Sequence, residues 1–290
     1  MDIVHPMVRS PIKWVGGKSR LRKYIIAMIP EDHTCYVEPF GGAAWVLLGK
    51  PPSKVEVYND LHDELVNLFR VIKEKPDKFI ASFDLTLVAR SEYERLAKLD
   101  PNKLSDIERA HRFYYLVMAG WGGESEYFRF QTSISDGGHG NRLIGAIKSL
   151  RKRIEPVYQR LKTVIIENMD WKDIISKYDS AETVFYLDPP YPENKVNYGF
   201  NMRSLEEHIE LWKRLGALSG RWILSTYDKP KLRRMMQEVL LGKKLFFYPI
   251  QAYSGMKKGK SAAERVKNRE LLVTNFPATK EFHELIAKEE

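Results

Sequence analysis

The chain has 290 residues, 43% of them hydrophobic and 29% charged, with a formal net charge of +9 and one cysteine, Cys35. That composition excludes a wholly disordered chain, and a single cysteine excludes both an internal disulfide and a cysteine-built metal site. Apolar runs such as 245–250 are far too short to cross a bilayer, and Lys13, Lys18, Arg20, Arg22 and Lys23 break up the N-terminal region, so a cytoplasmic protein without a membrane partner is expected.

The first motif in chain order is Lys13-Trp14-Val15-Gly16-Gly17-Lys18-Ser19. A phosphate-binding loop would need glycine where Ile12 stands, and no strand leads into the segment, so a turn with a lysine at a helix start is the better reading. Residues 34–38 form a short apolar strand running into Glu38-Pro39-Phe40-Gly41-Gly42, with a helix expected over 43–48. Strand, glycines, then helix puts bare backbone at the carboxyl end of a sheet, where α/β folds bind ligands. A second strand, 54–59, ends at Asp60 and precedes a helical pattern over 61–71. A carboxylate there can accept from ribose hydroxyls, or simply cap the following helix.

Residues 74–160 give helical patterns without a parallel-sheet strand, and 120–142 reads as a hairpin or ordered loop rich in glycine and aromatics. Phe113, Tyr114 and Tyr115 are expected to pack these helices together. Asn168-Met169-Asp170-Trp171 opens another helix, with Asp170 as its candidate cap. Residues 183–187 are a continuous apolar run, as expected of a strand buried on both faces, and run directly into Asp188-Pro189-Pro190-Tyr191. Two prolines remove two N–H donors and leave carbonyls free to accept, which suits a substrate amino group. Ser204 with Glu207 is a capping box ahead of Ile209, Trp212 and Leu215, a helix that Gly220 should end. Strands are expected at 222–225, 245–250 and 271–276, and between the last two lies a basic loop with Lys257, Lys258 and Lys260. Strands alternating with helices imply a doubly wound α/β sheet.

Taken in order, Lys13-Trp14-Val15-Gly16-Gly17-Lys18, Glu38-Pro39-Phe40-Gly41-Gly42, Asn59-Asp60, an insertion and Asp188-Pro189-Pro190-Tyr191 resemble the signature of Dam-type DNA adenine methyltransferases, the D12 class of the alpha group. The resemblance covers the whole chain, and its specificity lies in the ordered set rather than in any one part. It implies a mostly parallel methyltransferase sheet built from 1–61 and 163–290, interrupted by a mainly helical target-recognition domain at 62–162. The implied reaction transfers a methyl group from S-adenosylmethionine to adenine N6 of a flipped base in double-stranded DNA, with no metal. A cognate restriction endonuclease is compatible with it.

The same resemblance assigns Trp14, Lys18, the Glu38-Pro39-Phe40-Gly41-Gly42 turn, Asp60 and Asp188 to the cofactor, with Asp170 and Trp171 beside its adenine. Asp188 and the Pro189 carbonyl would accept from the target amino group, Pro190 would stiffen the turn, and Tyr191 would stack on the base. No counterpart of the family's GATC-reading hairpin is evident. Arg129 and Arg142 are candidate guanine readers and Asn141 an adenine reader, with phosphate contact or fold support as alternatives. Lys257 and Lys258 belong either to a clamp over the DNA backbone or to a solvated loop. Rival readings are a cytosine-N4 or RNA enzyme of the same fold and a catalytically silent DNA-binding module. Cytosine-N4 enzymes more often carry serine where this chain has Asp188, and an intact Asp-Pro-Pro-Tyr argues against silence.

Overall fold

The computed structural model describes residues 7–14, 16–120, 130, 142–192, 202, 204–253 and 267–288, giving only the backbone of 251–253 and 267–269. Its strands are β1 (Cys35–Glu38), β2 (Val55–Asn59), β3 (Ile165–Glu167), β4 (Thr183–Leu187), β5 (Arg221–Tyr227), β6 (Phe246–Tyr253) and β7 (Lys267–Thr274). They form one seven-stranded sheet in the order β3-β2-β1-β4-β5-β7-β6. β1 pairs in parallel with β2 and β4, as do β2 with β3 and β4 with β5. β7 is antiparallel to both β5 and β6. The fold is therefore α/β with a mostly parallel sheet, and its strand order reverses between β1 and β4.

Side-chain alternation splits the sheet into two cores. Tyr36, Tyr58, Val184, Tyr186, Ile223 and Leu272 join one cluster, while Val37, Val57, Phe185, Leu187, Trp222, Leu224 and Val273 join the other. The first is covered by α1 (Arg22–Met28), α2 (Trp45–Gly49), the helices between β2 and β3, and α12 (Lys280–Ala287). Those intervening helices are α3 (Asp63–Glu74), α4 (Pro76–Ala81), α5 (Arg90–Ala97), α6 (Asp106–Ala119), α7 (Arg142–Lys148) and α8 (Leu150–Leu161). The second is covered by α9 (Trp171–Tyr178), α10 (Leu205–Ala217) and α11 (Pro230–Val239). All five residues of β4 are buried, as a strand covered on both faces must be. Phe113, Tyr114 and Tyr115 of α6 are buried in the first cluster, so the helices between β2 and β3 share their core with the sheet.

Several boundaries differ from the sequence expectation, each for a local reason. α3 begins at Asp63 rather than 61 because Asp60 takes the His62 amide and His62 becomes the cap, its Nδ1 accepting from Leu65 N at 3.3 Å. α2 starts at Trp45 because Ala44 is held left-handed at φ 54°. α10 has both halves of its expected capping box, yet it ends at Ala217, and Gly220 instead donates its amide to Asp179. β3 is an unforeseen edge strand, β6 runs past its expected end to Tyr253, and β7 starts at Lys267 rather than 271 and stops at Thr274 rather than 276.

Candidate active site

A cavity of about 380 Å³ opens at the carboxyl ends of the parallel strands, on the reversal of strand order. That is where open α/β sheets hold ligands, and the volume lies within the ordinary range for small-molecule sites. Its walls are the turns after β1 (Glu38, Pro39, Phe40, Gly41, Gly42), β2 (Asp60, Leu61, His62), β3 (Met169, Asp170, Trp171) and β4 (Asp188, Pro189, Pro190, Tyr191). Trp14, Gly16, Gly17 and Lys18 close it from the N-terminal segment, and Tyr227 and Glu270 from β5 and β7.

The turn after β1 is shaped by close approach. A Cβ on Gly41 would stand 2.3 Å from the Tyr58 ring, so only glycine fits there, and the Gly41 amide donates to Asn59 O at 2.7 Å. Gly42 is left-handed at φ 50°, and its amide donates to Asp60 Oδ2 at 2.8 Å. Asp60 Oδ1 accepts from the His62 amide at 2.9 Å, so this carboxylate ties two turns together while remaining at the cavity wall. Burial raises its pKa, and these amides partly offset that. Buried Asn59 extends the tie, with Nδ2 donating to Pro39 O and Met169 O, and Oδ1 accepting from Met169 N. Trp14 packs edge-on against His62 at 5.5 Å and tilted against Phe113 at 5.8 Å. Across the cavity Phe40 and Trp171 lie 6.3 Å apart, and Asp170 caps α9 through Lys172 N while also lining the space.

The charged centre is the buried ion pair Lys18 Nζ–Asp188 Oδ2 at 2.8 Å. The Asp188 side chain keeps 19% of its surface and borders the cavity. Burial pushes the Asp188 carboxyl up to about 6, with the Glu270 charge adding to the shift and the Lys18 ammonium opposing it. Burial works against the Lys18 charge, but Asp188 and Glu270 outweigh it and raise its pKa, so the ammonium persists at neutral pH. Glu38, buried beneath them and accepting from Tyr36 Oη at 2.8 Å, is raised to about 8 by burial. Tyr191 is 8% exposed; its hydroxyl donates to Glu270 Oε2 at 2.7 Å and its ring meets Tyr227 edge-on at 4.6 Å. Buried His208 of α10 holds the Met202 carbonyl on the same side of the cavity.

The expected cofactor and catalytic residues all line this one space, from Trp14 to Tyr191. Asp60, expected either at a ligand or at a helix cap, stands two residues ahead of the actual cap. Arg142 opens α7 at a half-buried position, whereas Arg129, Asn141, Lys257 and Lys258 lie outside the described residues. Sequence reasoning missed His62, Tyr227 and Glu270. An acidic residue at the head of the apolar 271–276 run was the one available signal for Glu270.

The sequence pattern of the D12 class N6 adenine-specific DNA methyltransferases matches residues 14–246. Type II methyltransferase M.CviBI of Paramecium bursaria Chlorella virus NC1A is 31% identical over 206 residues, 69% of this chain and 75% of its own. Type II methyltransferase M1.LlaDCHI of Lactococcus lactis subsp. cremoris is 27% identical over 287 residues, 93% of this chain and 96% of its own. A DNA adenine methylase of Haemophilus influenzae is 27% identical over 193 residues, 63% of this chain and 64% of its own. With the signature residues gathered on one cavity and the family pattern spanning most of its length, the chain belongs to the D12 class of N6 adenine-specific DNA methyltransferases.

Proposed function

We propose that the cavity binds S-adenosylmethionine beside a flipped adenine of double-stranded DNA, and that Asp188-Pro189-Pro190-Tyr191 is where the methyl group reaches adenine N6. The observation that carries this reading is the convergence of four turns on one cavity, with a buried Lys18–Asp188 pair facing into it. Trp14, Lys18, Glu38, Pro39, Phe40, Gly41, Gly42, Asp60, Asp170 and Trp171 would hold the cofactor. They fit it: the cavity has the size of a nucleoside site, Phe40 and Trp171 offer an aromatic slot, and Asp60 and Asp170 present carboxylates at its wall. When bound, the cofactor supplies a methyl group on a sulfonium centre.

The residues of the chain then do the positioning. Asp188 is ionised above about pH 6 and accepts an N–H of the target amino group, with the Pro189 carbonyl as second acceptor. Fixing both hydrogens points the nitrogen at the methyl group, and orientation of this kind supplies much of such a rate enhancement. Pro190 keeps the turn rigid, and the Tyr191 ring stacks on the base.

Within this reading the chain divides into a methyltransferase part, 1–61 and 163–290, and a target-recognition part, 62–162. Arg129, Asn141 and Arg142 serve base readout, and Lys257 and Lys258 the DNA backbone. Relatives named as type II methyltransferases support a cognate restriction endonuclease, and DNA as substrate supports a cytoplasmic location. Among the described residues no helix is long and apolar enough to cross a membrane. The test is tritiated-methyl transfer from S-adenosylmethionine to duplex DNA followed by nucleoside analysis. Label in N6-methyladenine is expected; label in N4-methylcytosine, or label in RNA only, overturns the reading.

A further inference from the structure

Tyr191 is gripped from strands that the Asp-Pro-Pro-Tyr motif does not include. Tyr227 of β5 and Glu270 of β7 stand directly opposite one another across an antiparallel pair. Opposed residues send their side chains to the same face, here the cavity. The Tyr191 ring meets Tyr227 edge-on at 79°, its hydroxyl bonds Glu270 Oε2, and Lys18 Nζ sits 5.0 Å from its centroid. Glu270 therefore touches the catalytic motif by hydrogen bond and the Lys18–Asp188 pair by charge.

We infer that Glu270 is a positioning residue for methyl transfer, anchoring the Tyr191 hydroxyl and sharing the Lys18 ammonium with Asp188. The inference rests on the reading of Asp188 and Tyr191 as the transfer site. A hydrogen bond from a buried phenol to a carboxylate fixes the ring more firmly than packing alone, because charge-assisted bonds are roughly twice as strong as neutral ones. The charge has its own consequence. Asp188 is faced by Lys18, Glu270, Tyr191, Tyr186 and Glu38, and of these the Glu270 carboxylate opposes its ionisation while Lys18 and the Tyr191 hydroxyl favour it. Removing the Glu270 charge should therefore let Asp188 ionise at lower pH.

The test uses the full chain with Glu270→Gln, Glu270→Ala, Tyr191→Phe, the Glu270→Ala/Tyr191→Phe double variant and Asp188→Asn. Glu270→Ala and Tyr191→Phe should each lower kcat about tenfold with KM for S-adenosylmethionine within about twofold, and the double variant should be no slower than the slower single. Glu270→Gln, which keeps shape and an acceptor, should move the acid limb of the rate profile to lower pH, a change that mere loss of packing does not produce. Additive losses, or a folded Glu270→Gln with an unmoved acid limb, overturn the inference. If the Glu270 variants fail to fold, Tyr191→Phe alone decides: an unchanged kcat overturns it. Activity retained by Asp188→Asn would sink the transfer-site reading itself, whereas a dead Asp188→Asn beside unaffected Glu270 variants sinks only this inference.

Discussion

Among the described residues, two buried lysine–carboxylate pairs are put to opposite uses. Lys50 Nζ lies 2.6 Å from Glu56 Oε1, with side chains 2% and 1% exposed. All three Lys50 protons are used, since it also donates to Pro51 O and Ser53 Oγ, and Arg160 of α8 reaches both Glu56 oxygens and Leu47 O, leaving only its Nε without a partner. Burial alone would raise the Glu56 pKa, yet Arg160 and Lys50 hold it below its ordinary value. The Lys18–Asp188 pair has the same chemistry but opens on a cavity, and its aspartate is raised to about 6. A carboxylate held by two cations and closed off from solvent fastens α8 to β2, while a pair that opens on a cavity keeps acceptor capacity for a substrate.

That contrast breaks if the closed pair can be dismantled cheaply. Glu56→Ala leaves two cations buried without their counter-ion and should cost about 3–5 kcal/mol of stability. Urea unfolding reads this directly, and a loss below about 1 kcal/mol would mean the network is not a fastening. The open pair should behave in reverse. Asp188→Ala should lower methyl transfer by about 10²–10³-fold, the scale of one preorganised electrostatic partner, with S-adenosylmethionine affinity within about tenfold. Near-normal single-turnover rates in that variant would remove Asp188 from the chemistry.

Smaller effects sharpen the picture. Asp60→Ala loses two amide partners and a carboxylate at the cavity wall, and should weaken S-adenosylmethionine by about 1–3 kcal/mol. Unchanged affinity by calorimetry would leave Asp60 as a tie between turns and nothing more. Least of all in energy is the pH response: because Asp188 must be ionised to accept an N–H, kcat should fall about tenfold per unit below pH 6, or about 1.4 kcal/mol. A carboxyl raised in the folded state gains stability from this group as pH falls through 6, so the lost rate should not be accompanied by unfolding at this site. A flat rate between pH 5 and 7 contradicts the assignment.

What the sequence made legible was whatever is local. The run 183–187 announces a strand buried on both faces, Ser204 with Glu207 announces the start of α10, and the ordered motifs mark every turn of the cavity except those from β5 and β7. Other features arise from tertiary contact. β3 has three residues, the first of them exposed, which is too short for a periodicity to register. The α3 boundary moves because Asp60 captures an amide that the helix pattern had claimed. Glu270 lies 79 residues beyond Tyr191, and only antiparallel insertion of β7 between β5 and β6 brings them together. No motif spacing encodes that encounter.

The most direct test of the account is mass-spectrometric nucleoside analysis of unmethylated duplex DNA incubated with the purified chain and S-adenosylmethionine at pH 7.5. N6-methyladenine that appears with wild-type protein and falls by at least about a hundredfold with Asp188→Ala is the predicted result. N4-methylcytosine, no methylated base, or equal N6-methyladenine from both proteins would contradict it.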